Sequence, residues 1–181
     1  MRKVFLIAGL LTAFVLVTLA SSAAANFAGT WNLDKSKSTG LSQGMMNADS
    51  VTWTITQDDK TISIDSKVTG GQTAGGGGGG MGGGRGAGAG GQRVYNLDGK
   101  EVTADAGGQM GGTNTTKATW SSDGKGLELS SVRAGNFNGN DVKFTSVDKL
   151  SLSADGKTLT VVRHSEGPRG TQDSTLVFNK Q

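Results

Sequence analysis

The chain has 181 residues, with 18 Lys and Arg against 15 Asp and Glu, and a formal net charge of +3. It contains one His and no Cys, which excludes disulfide bonds and any zinc site built from thiolates or several imidazoles of one chain. The cationic residues form no run and no stripe with aromatic residues, so we expect no binding to nucleic acid.

The N-terminal segment is typical of an export signal. Arg2 and Lys3 form a positive start, residues 4–20 are almost wholly apolar, and small residues up to Ala25 suit cleavage by a signal peptidase. The alternative is an uncleaved membrane anchor, for which the apolar run is slightly short of the roughly 20 residues that span a bilayer. We therefore interpret residues 1–25 as a signal peptide.

Cleavage between Ala25 and Asn26 leaves residues 26–181 as one domain, long enough to bury a substantial core. Its formal net charge is +1, because two cationic residues of the signal are lost from the total of +3. We expect a periplasmic or secreted monomer that meets a membrane only through its transient signal peptide.

The mature domain shows no sustained helical period, and short stretches instead alternate apolar with polar residues. These stretches are rich in Val, Ile, Thr, Phe and Trp, which suit a pleated strand with one buried face. The pattern predicts ten strands, at about 27–34, 51–57, 61–69, 93–97, 100–105, 114–121, 126–133, 142–152, 157–165 and 172–179.

The connections between these strands alternate between tight and long. The tight turns are Asp58-Asp59, Asp98-Gly99, Ser122-Asp123-Gly124-Lys125 and Asp155-Gly156. Asp-Gly supplies the positive φ that a tight hairpin requires. The long or Gly-rich connections are 35–50, 70–92, 106–113, 134–141 and 166–171. We therefore expect every tight turn at one end of the sheet and every long loop at the other.

The predicted fold class is all-β, an up-and-down antiparallel β-barrel of about ten strands. An open sheet of this size would expose two edges, and closure into a barrel removes them.

The start of the domain carries a short family signature. Phe27-Ala28-Gly29-Thr30-Trp31-Asn32-Leu33 resembles the Gly-x-Trp first strand of lipocalins and fatty-acid-binding proteins. Ten strands with a long first connection are similar to the fatty-acid-binding layout, and the chain also resembles small exported bacterial lipocalin-like proteins. This resemblance implies a barrel that binds a small molecule. The last predicted strand, at 172–179, lacks the Arg-x-Tyr pair with which fatty-acid-binding proteins hold a carboxylate.

A Gly-rich tract contains a chance nucleotide motif. Gly86-x-Gly88-x-x-Gly91 matches a dinucleotide fingerprint, but the fingerprint needs a strand before it and a helix after it in a βαβ unit. The surrounding residues 75–91 are nearly all Gly and Ala, and they cannot bury enough side chain to offset their ordering entropy. We expect a flexible loop at 70–92, and we assign no cofactor.

Two Arg residues are predicted to face the barrel interior near the long-loop end. Strand alternation places Arg133 and Arg163 on the apolar faces of their strands, with Trp53 and Phe144 also facing inward. A buried charge needs a partner, water or an anionic ligand. Alternatively, each Arg extends from the rim into solvent, or a local bulge reverses its direction.

All methionines of the domain lie in the predicted long loops of the same end: Met45, Met46, Met81 and Met110. Flexible thioethers suit an adaptable apolar lid over a pocket, and they are also soft ligands for Cu(I). The simplest alternative is loops that merely contain Met. The Asp and Glu residues show no calcium-binding pattern, and we assign no metal site.

The leading hypothesis is an exported barrel that binds a small, partly apolar ligand at its open end, with an anionic group on the ligand as an option. The residues expected to contact the ligand are Arg133, Arg163, Trp53, Phe144, Met45, Met46 and Met110. The alternative is a solid scaffold whose mobile loops contact envelope components. An enzyme would need an acid–base pair at the mouth, for which the sequence offers His164 with Glu166. Alternation points His164 outward, so we expect no catalysis.

Overall fold

A computed structural model describes residues 24–70, 91–106, 111–137 and 139–181. Nearly all of the predicted signal peptide, most of the predicted Gly-rich loop with Met81, and the predicted site residue Met110 lie outside the described residues.

The described ranges form ten strands and one short helix, and every predicted strand overlaps an observed one. The elements are β1 Gly29–Leu33, α1 Gln43–Asn47, β2 Ser50–Gln57, β3 Thr61–Thr69, β4 Gly91–Asn96, β5 Val102–Asp105, β6 Thr113–Trp120, β7 Gly126–Phe137, β8 Asn140–Leu152, β9 Thr158–Gly167 and β10 Gly170–Lys180. The period-two alternation of apolar residues thus located each strand, whereas it did not predict α1.

The strands form one antiparallel sheet in the order β4-β3-β2-β1-β10-β9-β8-β7-β6-β5. The first and last strands are paired, with Trp31 opposite Lys180, so the sheet curls round to join the two ends of the domain. The result is a nearly closed antiparallel barrel, which confirms the predicted fold class.

The barrel has a gap between β4 and β5, and the hairpin predicted there at Asp98-Gly99 is wrong. The chain does turn at this point, but β4 and β5 are the two ends of the hydrogen-bonded order. All four residues of β5 are exposed, so β5 has no buried face that would hold it beside β4. Across the gap β6 approaches β4 instead, and the Thr116 hydroxyl donates to the Val94 carbonyl at 3.4 Å.

Two of the predicted long connections are in fact tight, so the strict alternation of loop lengths is wrong. β7 runs to Phe137 and β8 begins at Asn140, while β9 runs to Gly167 and β10 begins at Gly170. The ends of these strands carry polar residues and Gly, which lack the apolar alternation that marks a strand. Their ladders nevertheless continue to the turns, where Phe137 pairs with Asn140 and Gly167 with Gly170.

The aspartates of the four predicted turns have the expected structural role. Each side chain accepts a hydrogen bond from the backbone N–H two residues later, at 2.7 Å for Asp58, 3.0 Å for Asp98, 3.0 Å for Asp123 and 3.1 Å for Asp155. These hydrogen bonds favour the carboxylate form and lower the pKa of all four side chains, with serine hydroxyls contributing most at Asp123 and Asp155.

The N-terminal segment packs at the end of the barrel that carries these turns. The Ala25 N–H donates to the Gly124 carbonyl at 2.8 Å, which ties the segment to the β6–β7 turn. Phe27 is fully buried, accepts a hydrogen bond from the Trp31 indole N–H at 2.9 Å, and stacks on Trp120 with ring centroids 6.1 Å apart. This end of the barrel is therefore closed by packed aromatic side chains.

The inner face of the barrel changes in character along its axis. Towards the tight-turn end it is apolar, with Ile55, Ile62, Leu159 and Phe178 all at most 2 % exposed. On β8, the next inward residue after Leu150 in the direction of the open end is Asp148, which is also buried. The polar positions of the interior thus begin partway up the barrel, below the long-loop end.

Two glycines with positive φ allow a test of backbone fit: Gly112, at +84° in the turn before β6, and Gly99, at +77° in the turn between β4 and β5. A Cβ on Gly112 would lie 2.0 Å from the Ala134 carbonyl oxygen, whereas a Cβ on Gly99 would have its nearest neighbour at 3.9 Å. We expect Gly99→Ala to cost roughly 1–2 kcal/mol of unfolding free energy from backbone strain alone, and Gly112→Ala to cost clearly more. Urea denaturation of the two variants checks this; equal losses would contradict the contact with Ala134.

Candidate functional site

A cavity of about 180 Å³ lies at the open end of the barrel. Its wall combines the apolar residues Met45 and Phe144 with Arg163 and, at the rim, Glu166. Most of the remaining lining consists of Ser, Thr and Gln residues from β7 to β10 and from the β1–β2 connection. The site therefore offers a small apolar contact surrounded by many hydroxyl groups.

The short helix α1 places one of the two neighbouring methionines in this wall. Ser42 caps the helix by accepting a hydrogen bond from the Met45 N–H at 3.4 Å, and the Lys35 ammonium binds the Met46 and Ala48 carbonyls at the other end. Met45 is 5 % exposed and lines the cavity, whereas Met46 is 54 % exposed. Of this predicted pair, only Met45 belongs to the site; Met46 is not among the cavity-lining residues.

Arg163 faces inward as predicted, and its partner is a carboxylate of the same chain. Asp148 lies directly opposite it on β8, and both side chains are buried. The Arg163 Nε and Nη2 donate to the two carboxylate oxygens at 2.6 Å and 2.7 Å, a bidentate arrangement. The predicted need of Arg163 for a counter-charge is thus met inside the barrel.

Trp53 forms the floor behind this pair rather than the cavity wall. Its ring packs on Phe178 at a centroid distance of 4.6 Å, and the Arg163 guanidinium lies 5.6 Å from the indole centroid. A second guanidinium, that of Arg93, lies 5.5 Å from the same centroid and 3.5 Å from the Asp148 carboxylate. Trp53 is therefore in contact with two cations, each within the range of a cation–π interaction.

Arg133 is separate from this cluster. It lies opposite Phe144 on β8 and has the same strand parity as the buried Leu127 and Leu129. Its Nη2 donates to the Ala106 carbonyl at 3.3 Å, towards the β5–β6 connection. Arg133 is not among the residues that line the cavity, so the predicted pair of arginines does not converge on one site.

The sequence reasoning missed three residues of the interior: Asp148, Arg93 and Tyr95. Strand alternation could have found Asp148, because it follows Phe144 and Ser146 on the inward face of β8. The same rule places Arg93 and Tyr95 together on β4. Tyr95 is buried, and desolvation raises the pKa of its phenol, so it stays neutral at physiological pH.

His164 lies on the outer face with two acidic partners. Its Nδ1 is 2.6 Å from the Asp173 carboxylate and its Nε2 is 3.3 Å from that of Glu166, which also accepts from the Thr145 hydroxyl at 3.4 Å. Hydrogen bonds to Asp173 and then Glu166 raise the pKa of His164 above 6.5. The pair considered for acid–base chemistry is therefore a solvent-exposed cluster at the barrel rim.

The described residues contain neither a candidate membrane-spanning helix nor a candidate metal site. None of the helices there is both long and apolar enough to cross a bilayer. No group of three or more His, Cys, Asp or Glu residues in those ranges could hold a metal ion.

Comparison with known proteins gives structural likenesses alone. No protein-family model and no curated protein matches the chain in sequence. The zebrafish ileal bile acid-binding protein in complex with cholic acid is similar in structure, with 13 % identity, a TM-score of 0.47, and coverage of 86 % of this chain and 98 % of that one. A point mutant of a fatty acid transporter named REP1-NXSQ is similar with 14 % identity, a TM-score of 0.47, and coverage of 85 % and 97 %. Nothing about the ligand of this chain follows from likenesses at this level.

The buried ion pair generates the first prediction for the site. Asp148→Asn leaves two guanidinium groups without a carboxylate in the interior, and we expect it to lower the unfolding free energy by about 3–5 kcal/mol. The matched control is Glu128→Gln, whose partner Lys149 lies 3.7 Å away on the exposed face. We expect the control to change stability by less than about 1 kcal/mol. Urea denaturation measures both, and similar losses would show that Asp148 is not a critical counter-charge.

The rim cluster generates a prediction on pH. Because the folded pKa of His164 is raised, protonation stabilises the fold fully below the unfolded value near 6.5. This contribution is lost as the pH rises through the higher folded pKa. We expect the difference in urea midpoint between the wild type and His164→Gln to shrink across this interval. A difference independent of pH would contradict the raised pKa.

Proposed function

We propose that this protein is an exported, non-catalytic barrel that binds one small, partly apolar molecule in the cavity at its open end. The observation that carries the proposal is the mixed lining of that cavity. Phe144 and Met45 offer an apolar contact, while Arg163 and the surrounding hydroxyl groups offer hydrogen bonds. Concave sites that bind small molecules typically combine an apolar wall with a few placed polar groups.

The size of the cavity limits the ligand. At about 180 Å³ it is smaller than the roughly 300–1,000 Å³ of sites for drug-sized molecules. The ligand is therefore a short molecule, or a longer one that inserts only its end.

The charges of the cavity bear on the polar group of the ligand. Arg163 already binds Asp148 through two hydrogen bonds, and the Glu166 carboxylate at the rim lies 3.3 Å from His164. The positive charge of Arg163 is therefore balanced by Asp148, and the ligand does not have to supply a negative charge. A neutral hydroxyl or carbonyl group suits this lining better than a carboxylate.

The scaffold alternative has an observation in its favour, which is the dense packing below the cavity. Trp31, Trp53 and Phe178 are fully buried, and the last two rings are in contact. A barrel filled in this way presents its loops on a rigid support without binding a ligand inside. The two hypotheses differ in whether the open-end cavity takes up a molecule.

Export also belongs to this proposal. Its support is the predicted signal peptide of residues 1–25, which combines a positive start, an apolar run and small residues at Ala23 to Ala25. Intact-mass measurement of protein recovered from the periplasmic or secreted fraction tests it. A full-length mass in the membrane fraction would contradict cleavage.

The ligand-binding proposal is tested with 1-hexanol and hexanoate as probes of equal chain length. We expect calorimetry to show binding of the alcohol, with weaker binding of the acid. Ser165→Leu narrows the cavity and should weaken binding at least tenfold, a loss of about 1.4 kcal/mol. The control is Ser151→Leu, at an exposed position of β8 outside the cavity.

Native mass spectrometry of protein purified from its own envelope complements the probes. A co-purifying molecule that Ser165→Leu loses and Ser151→Leu keeps would support the proposal. If neither probe binds and no molecule co-purifies, the scaffold alternative is the better account.

A further inference from the structure

The guanidinium of Arg93 is buried without satisfying its hydrogen-bonding groups. Arg93 lies on β4 opposite Ile64, and its side chain is 18 % exposed. Its Nη1 and Nη2 are hidden from solvent, and neither has a hydrogen bond of ordinary geometry among the described residues. The polar groups beside them are the Asp148 carboxylate, 3.5 Å from Nη1, and the Tyr95 hydroxyl. Unsatisfied donors on a buried cation are costly, so the arrangement calls for an acceptor.

Two further polar groups next to Arg93 share this condition. The indole Nε1 of Trp53 and the hydroxyl of Ser66 are both buried and lack a hydrogen-bond partner within the described ranges. Trp53 and Ser66 face each other across β2 and β3, and the Arg93 guanidinium lies over the Trp53 ring. An N–H donor, an O–H group and a guanidinium thus occupy neighbouring positions on three adjacent strands.

The balance of charge around Arg93 also favours a bound anion. One carboxylate, that of Asp148, binds Arg163 at 2.6 Å and lies 3.5 Å from Arg93, so two guanidinium groups share one negative charge. Tyr95 beside them remains neutral, since burial raises the pKa of its phenol. The residues outside the described ranges contain no Asp or Glu, so they supply no further side-chain carboxylate. The cluster therefore carries one excess positive charge.

We propose that Arg93 binds one small monovalent anion, a halide or a short carboxylate, inside the barrel beside Trp53 and Ser66. The anion supplies both the acceptor and the charge that the cluster lacks. The site is distinct from the open-end cavity, because Arg93, Trp53 and Ser66 are not among the cavity-lining residues. It does not depend on the identity of any ligand in that cavity.

Anion-dependent stability tests the site. Sodium bromide and sodium acetate should raise the melting temperature of the wild type along saturation curves, above the value in equimolar sodium gluconate, whose anion is bulky. Arg93→Met should lose this response. Arg93→Lys keeps the charge and should keep the response with an affinity at least tenfold weaker. The matched control is Arg169→Met, in the exposed β9–β10 turn, which should respond as the wild type does.

A second measurement uses the wild type alone, so that it does not depend on how a variant folds. Trp53 is fully buried, and bromide free in solution cannot reach its ring. Bound bromide would quench its fluorescence along a saturation curve, and acetate would reverse the quenching by competition. Anomalous scattering from bromide-soaked crystals would then place the ion at Arg93.

The outcomes separate this site from the proposed ligand cavity. Equal bromide responses in the wild type and Arg93→Met, or an absence of saturable quenching, would overturn the anion site. Stabilisation by octanoate without any by bromide or acetate would also overturn it, because the apolar tail would then be responsible. Absence of hexanol binding to the wild type, together with a saturable bromide response that Arg93→Met loses, would contradict the proposed cavity ligand and support the anion site.

Discussion

The buried carboxylate of Asp148 is the constraint on which much of the barrel interior depends. It accepts two hydrogen bonds from Arg163 directly across the β8–β9 ladder and lies within ion-pair distance of Arg93 on β4. A slip of one residue between β8 and β9 would move Asp148 or Arg163 to the outer face and leave the other charge buried alone. The pair therefore fixes the register of β8 and β9, two of the strands that line the cavity.

The same cluster also connects strands that are distant along the sheet. β4 lies at one end of the hydrogen-bonded order, and the path from it to β9 runs by way of β3, β2, β1 and β10. Across the barrel interior, however, Arg93 and Arg163 both approach the Trp53 ring and both approach Asp148. Charged and aromatic side chains thus hold together opposite walls of a sheet that the backbone leaves open between β4 and β5.

Sequence patterns predicted what is local and missed what depends on distant contacts. Alternation located the strands, and Asp-Gly located the turns, because both signals depend on a few neighbouring residues. The turn at Asp98-Gly99 formed as its residues dictate, yet the flanking strands did not pair, since β6 rather than β5 approaches β4. Strand ends near Asn136 and Asp141 were mistaken for loop, because their pairing follows from the continuing ladder and not from apolar periodicity.

In the candidate site, too, the sequence predicted local features and missed contacts between strands. Inward positions for Arg163 and Phe144 followed from strand parity, and both line the cavity. Strand parity also places Asp148 and Arg93 at inward positions. The alternation within one strand does not show, however, that a carboxylate on β8 meets one cation on β9 and another on β4. Met45 and Met46 could not be distinguished either, because the helix that directs one inward is only five residues long and has no repeat of its own.

The placement of the charged cluster decides what each part of the interior can bind. It lies between the apolar tight-turn end and the hydroxyl-lined cavity, and Arg163 alone belongs to both the cluster and the cavity wall. Because Asp148 takes up two donors of Arg163, the cavity side is nearly neutral, whereas the excess positive charge remains with Arg93, which is not among the residues that line the cavity. An anion is accordingly favoured at Arg93 and a neutral polar group in the cavity. One aspartate thereby gives two neighbouring regions of the same barrel different preferences.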